Sequence, residues 1–91
     1  MKRYIRSAYN GLKTYAEANV GKFRELGKKY GIDLYGDVKF HNGEAYLEGF
    51  ERSGSDADAF CDAVNRQCNK YGYDAYIYNP AGKFAIVLNE Q

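Results

Sequence analysis

Lys29-Tyr30-Gly31-Ile32-Asp33-Leu34-Tyr35 returns 41 residues later as Lys70-Tyr71-Gly72-Tyr73-Asp74-Ala75-Tyr76, identical at five of seven positions. Composition alone produces such a word with roughly one chance in ten, so it counts only through its surroundings. Each copy follows a segment with helical spacing and precedes two strand-like segments joined by a glycine-containing turn. The expected fold is therefore α+β, a duplicated αββ unit with pseudo-repeats over about 11–52 and 55–89 of a single 1–91 domain. Two hairpins side by side give a four-stranded antiparallel sheet with both helices packed on one face, since each helix needs the same kind of apolar surface to cover.

From Gly11 to Tyr30, the residues Leu12, Tyr15, Ala16, Val20, Phe23 and Leu26 recur at intervals of three and four, the stripe of one amphipathic helix. Gly31 ends it as a left-handed cap behind Lys28 and Lys29, which sit where the helix dipole favours cations. Gly21 and Gly27 weaken such a helix by roughly 1 kcal/mol each, so they either admit close packing or mark the less stable half. The second helix opens at Ser55, read with Asp58 as a capping box. Its buried stripe is Ala57, Phe60, Cys61, Val64, Cys68 and Tyr71, and Gly72 closes it. In residues 1–9, Ile5 and Ala8 continue the helical spacing into Leu12, but Tyr4-Ile5 also suits an edge strand and Asn10-Gly11 a break, so the expectation is a short extra N-terminal strand or arm, with a helix extension as the alternative.

The strands fall at about 33–40, 44–52, 73–79 and 84–89, with turns at His41-Asn42-Gly43 and Asn79-Pro80-Ala81-Gly82. Alternation sends Leu34, Val38, Phe40, Ala45, Leu47, Ala75, Ile77, Phe84, Ile86 and Leu88 toward the helices. The reverse face then carries Tyr35, Asp37, Lys39, Glu44, Tyr46, Glu48, Phe50, Arg52, Asp74, Tyr76, Tyr78, Ala85 and Val87. With ten tyrosines and no tryptophan in the chain, this is an aromatic surface that nothing in the sequence covers.

A formal charge of +1 supplies no global field for nucleic acid or anionic membrane. Apolar runs such as Phe84-Ala85-Ile86-Val87-Leu88 are far too short to span a bilayer and the N-terminus lacks a signal-like apolar stretch, so a cytoplasmic location is expected. Cys61 and Cys68 lie two helical turns apart, with α-carbons roughly 10 Å from one another, which rules out a disulfide between them. They read as small apolar filling. His41 stands at a turn with no acid-base partner recognisable from spacing. No phosphate loop, nucleophile elbow or metal-ligand cluster is present, so the expectation is no enzyme, no cofactor and no metal.

What remains is a protein-binding module acting by stoichiometric contact, with Tyr35, Tyr46, Phe50, Tyr76 and Tyr78 as partner-binding residues. Small size, neutral charge and an uncovered sheet are what is expected of phage or mobile-element accessory proteins, including anti-CRISPR inhibitors of a host defence nuclease complex. Nucleic acid is the alternative partner, because sheets with exposed aromatics stack on single strands. The basic-Gly-aromatic run of such sheets is missing, however, and the open face carries two cations against four acids. A nucleic-acid site would therefore use Arg24, Lys28 and Lys29 on the first helix together with the basic N-terminus. A homodimer closing the open face on itself is the third reading.

Overall fold

Helical geometry holds through residues 11–18 (α1), breaks at Asn19, and resumes over Val20–Lys29 (α2), in a computed structural model that describes residues 11–91. The strand or arm read at residues 1–9 lies outside the described residues. The single first helix expected from the apolar stripe is thus two. Asn19 donates its side-chain amide to the Tyr15 carbonyl at 2.8 Å, while its own N–H reaches Tyr15 and Ala16. A side chain that competes for backbone partners is a recognised cause of helix interruption. The stripe survives the break: Leu12, Ala16 and Phe23 are fully buried, with Tyr15, Val20 and Leu26 packed beside them.

Gly31 and Gly72 both take the left-handed conformation expected after the helices, with φ of 79° and 88°. At the start of the last helix, Ala57–Asn69 (α3), the cap differs from expectation. Asp56 is the capping residue, its carboxylate accepting from the Ala59 N–H at 3.1 Å, whereas the Ser55 hydroxyl donates to Glu51. Tyr71, placed in the buried stripe by spacing, lies past the helix end and is exposed, and Ala63 takes the place among Phe60, Val64 and Cys68.

Five strands form one antiparallel sheet: Ile32–Leu34 (β1), Lys39–His41 (β2), Glu44–Glu51 (β3), Tyr73–Tyr78 (β4) and Phe84–Glu90 (β5). Their order is β1-β3-β5-β4, with β2 also pairing β3. The four-strand expectation fails because the first strand is interrupted. Leu34 faces Gly49 and Lys39 faces Tyr46, so five steps along one chain match three along the other. The two extra residues bulge around Gly36, whose φ is 74°. An even insertion leaves alternation intact, which is why Lys39 and Phe40 keep their expected faces, while His41, read as part of the turn, extends β2.

The helices cover one side only. Phe23, Phe60, Val64 and Cys68 meet Ala45, Leu47, Ile86 and Leu88 in a single cluster. Both outer lanes of the sheet are guarded from the helix layer. Asn65 on α3 pairs with the backbone of Ala75 on β4, and Arg24 on α2 donates to the Gly36 carbonyl at 2.5 Å. The order sets the two hairpins about the central β3–β5 pair in a two-fold-like way. The halves are not alike in detail, since only the first has a broken helix and a broken strand.

Candidate interaction face

The face turned away from the helices is organised in rows across the sheet. Lys39, Tyr46, Val87 and Tyr76 stand side by side in register, and Glu48, Ala85 and Tyr78 form the next row. Two of these positions are small or aliphatic residues between large ones. Tyr46 and Tyr76 flank Val87 and reduce its exposure to 0%, while Glu48 and Tyr78 leave Ala85 at 6%. The open face therefore has a thin apolar layer of its own, roofed by tyrosine rings.

A half-buried carboxylate at the start of β3 holds that roof. Glu44 accepts from the Tyr46 hydroxyl at 3.1 Å, the Tyr76 hydroxyl at 3.0 Å and the Asn89 amide at 3.3 Å. Desolvation raises its pKa, but these three donors and the nearby His41 outweigh it and leave the carboxyl below its ordinary value. The Tyr46 phenol moves up, first through its hydrogen bond to Glu44 and then through burial. Tyr76 moves up through burial first and Glu44 second. Tyr46 also meets Tyr78 edge-on, with ring centroids 6.5 Å apart.

Of the five residues expected to bind a partner, four present their rings to solvent: Tyr35 at 53% exposure, Phe50 at 54%, Tyr76 at 38% and Tyr78 at 50%. Tyr46 is half-buried and supports the others. Tyr35 stays on the face although β1 ends before it, because its N–H donates to the Glu48 carbonyl at 2.9 Å. Asp37, counted on this face from alternation, sits in the bulge and lines a groove with Glu17 and Arg24 on the helix side. Cross-strand ion pairs neutralise much of the remaining charge: Lys39 with Glu48 at 2.8 Å and Arg52 with Asp33 at 2.5 Å.

Sequence reasoning missed two features. His41, seen as a turn residue without a partner, faces Glu44 across the β2–β3 hairpin. Lys83, assigned to no site, stands beside a hollow of about 320 Å³ whose floor is Ala85 and whose walls are Tyr46, Tyr78 and Pro80. The signal for Lys83 was available, because it shares parity with Ala85 and Val87.

Of the alternative basic site, the N-terminal part lies outside the described residues, and the three helical residues do not cluster. Arg24 is half-buried and bound to the Gly36 carbonyl, Lys28 pairs with Glu25 at 3.4 Å, and Lys29 is exposed. Among the described residues no group of three or more His, Cys, Asp or Glu side chains is placed to hold a metal ion, and no helix is long and apolar enough to cross a membrane. No protein-family model, curated protein or solved structure matches this chain.

Proposed function

We propose that this chain is a non-enzymatic protein-binding module acting by stoichiometric contact through the face built on β3, β4 and β5. The observation that carries the reading is the state of its aromatic residues. Tyr35, Phe50, Tyr76 and Tyr78 are exposed together, while Glu44 and the half-buried Tyr46 stiffen the platform that carries them. Rigid rings bring large contact area at small entropic cost, which is the reason such residues dominate protein interfaces. The state of the sheet edges supports the same face. Asn65 occupies the outer edge of β4 and the bulge interrupts the opposite lane, so strand addition is disfavoured and broadside contact is left.

The test is capture of partners from lysate with wild type and with a Tyr35→Ser, Phe50→Ser, Tyr78→Ser triple variant, which spares the tyrosines bound to Glu44. The captured species is then rebuilt from purified components and its stoichiometry measured by sedimentation. Loss of the complex in the triple variant, with its circular dichroism unchanged, is the expected result; equal recovery removes the face from the mechanism.

We also infer that the two αββ halves descend from one unit. Arg24 and Asn65 are separated by the same 41 residues as the repeated word, and each reaches from a helix to backbone at a border of the sheet, Asn65 to Ala75 on β4 and Arg24 to Gly36 in the bulge between β1 and β2.

A further inference from the structure

The hollow above Ala85 gives the face a directional feature that the exposed rings alone do not. Alanine is the smallest side chain in its row, and the larger Glu48 and Tyr78 rise on either side of it. The result is a pocket of about 320 Å³, walled mainly by rings, a proline and a methyl group. Such a half-open hollow with a mainly apolar lining suits an apolar anchor, whose insertion would complete the enclosure that interface hot spots share.

The rim supplies a sign. Lys39, His41 and Lys83 border the pocket against one acid, Glu48. Lys39 is committed to Glu48, but Lys83 forms no ion pair among the described residues. One uncompensated ammonium beside an apolar hollow favours a neighbouring carboxylate on whatever enters, and an arginine or lysine anchor would meet Lys83 and Lys39 head-on. A nucleotide is less well served, since phosphate recognition draws on several free cations and here only one is uncommitted.

We propose that this pocket receives an aromatic side chain from an acidic segment of the protein partner, with Lys83 engaging a carboxylate next to the anchor. The inference rests on the open face being a protein-contact surface.

The experiment titrates three end-blocked pentapeptides into nitrogen-15-labelled full chain: Asp-Glu-Phe-Asp-Glu, its Asp-Glu-Ala-Asp-Glu analogue, and Lys-Arg-Phe-Lys-Arg. The first should shift the amides of Tyr78, Lys83 and Ala85 saturably, the second should bind at least about tenfold more weakly, and the third should bind no better than the second. Ala85→Leu fills the hollow from the solvent side and should abolish the response to the first peptide. Lys83→Glu should weaken it roughly threefold and narrow its preference over the basic peptide. Equal binding of the acidic and basic peptides overturns the inference, as do an unaltered response in both variants, silence with all three peptides, or shifts with adenosine monophosphate in place of peptide. In each of these cases the wider reading of the face still stands if the Tyr35/Phe50/Tyr78 triple variant loses its captured partner, and falls with the inference if it does not.

Discussion

Asn65 lies against Ala75 as a neighbouring strand would: its side-chain amide donates to the Ala75 carbonyl at 2.7 Å, and its side-chain oxygen accepts from the Ala75 N–H at 2.7 Å. Cys61, one turn earlier, adds its thiol to the same carbonyl at 3.7 Å. A helix side chain thus satisfies the outward-pointing backbone of an edge strand, where unpaired groups otherwise invite other chains.

Asn65→Ala should therefore cost about 1–3 kcal/mol, the usual range for a polar group left without its partner. Urea unfolding measures the loss. Hydrogen exchange at the Ala75 amide should accelerate more than exchange at Ile86 in the sheet centre, because the damage is confined to the rim. Equal acceleration at both positions would show that Asn65 acts on global stability only.

Three glycines sort themselves by what surrounds them. A Cβ at Gly49 would stand 2.5 Å from the Asp33 carbonyl oxygen and one at Gly27 would stand 2.6 Å from that of Ile32, whereas Gly21 has nothing within 4 Å. Backbone atoms yield poorly, so Gly49→Ala and Gly27→Ala should each destabilise by about 1–3 kcal/mol. Gly21→Ala, in an exposed helical position, should stabilise by up to about 1 kcal/mol. Thermal melts of the three variants test the contrast, and it settles the question posed by Gly21 and Gly27: one glycine admits close packing and the other only weakens its helix.

Glu44 links stability to pH from the acid side. Its folded pKa lies below the ordinary value, so its contribution is complete above that ordinary value and fades as pH falls through the folded one. Tyr46 and Tyr76 act in the opposite sense. Their folded pKa values are raised, so their contribution is complete below the ordinary phenol value and fades as alkaline pH passes through the folded one. Urea midpoints between pH 2 and pH 11 should therefore decline at both ends, and Glu44→Gln should flatten the acid limb and reduce the alkaline one.

The thiols should be slow. Burial pushes Cys68 up to about 11, and burial with the charges of Asp62 and Asp58 raises Cys61. Disulfide-exchange reagents at neutral pH should modify Cys68 only as fast as the chain opens, with Cys61 reacting first. Prompt modification of both in the native protein would contradict the burial of Cys68.

Much of this was legible because it is local. Gly31 and Gly72 announce their caps by type, the Asn42-Gly43 pair announces its hairpin, and alternation places Tyr76 and Tyr78 without reference to anything distant. The misses are tertiary. Asn19 fits a helix by spacing, and only its side-chain bond to Tyr15 turns it into a break. Nothing in Tyr35-Gly36-Asp37-Val38 states that β3 will pair on either side of it with a slipped register. Tyr46 and Tyr76 have the same parity and chemistry, yet one supports and one displays, because β3 is central and β4 is at the edge. The hollow escaped notice because a cavity belongs to Ala85 and its cross-strand neighbours together.

The guarded rims set a limit on assembly. Asn65 covers the backbone of Ala75 on one border and the chain kinks at Gly36 on the other, which disfavours lateral growth along either edge. A union of two copies through their tyrosine sides consumes both, which makes it self-limiting: a closed pair with no free face left to extend.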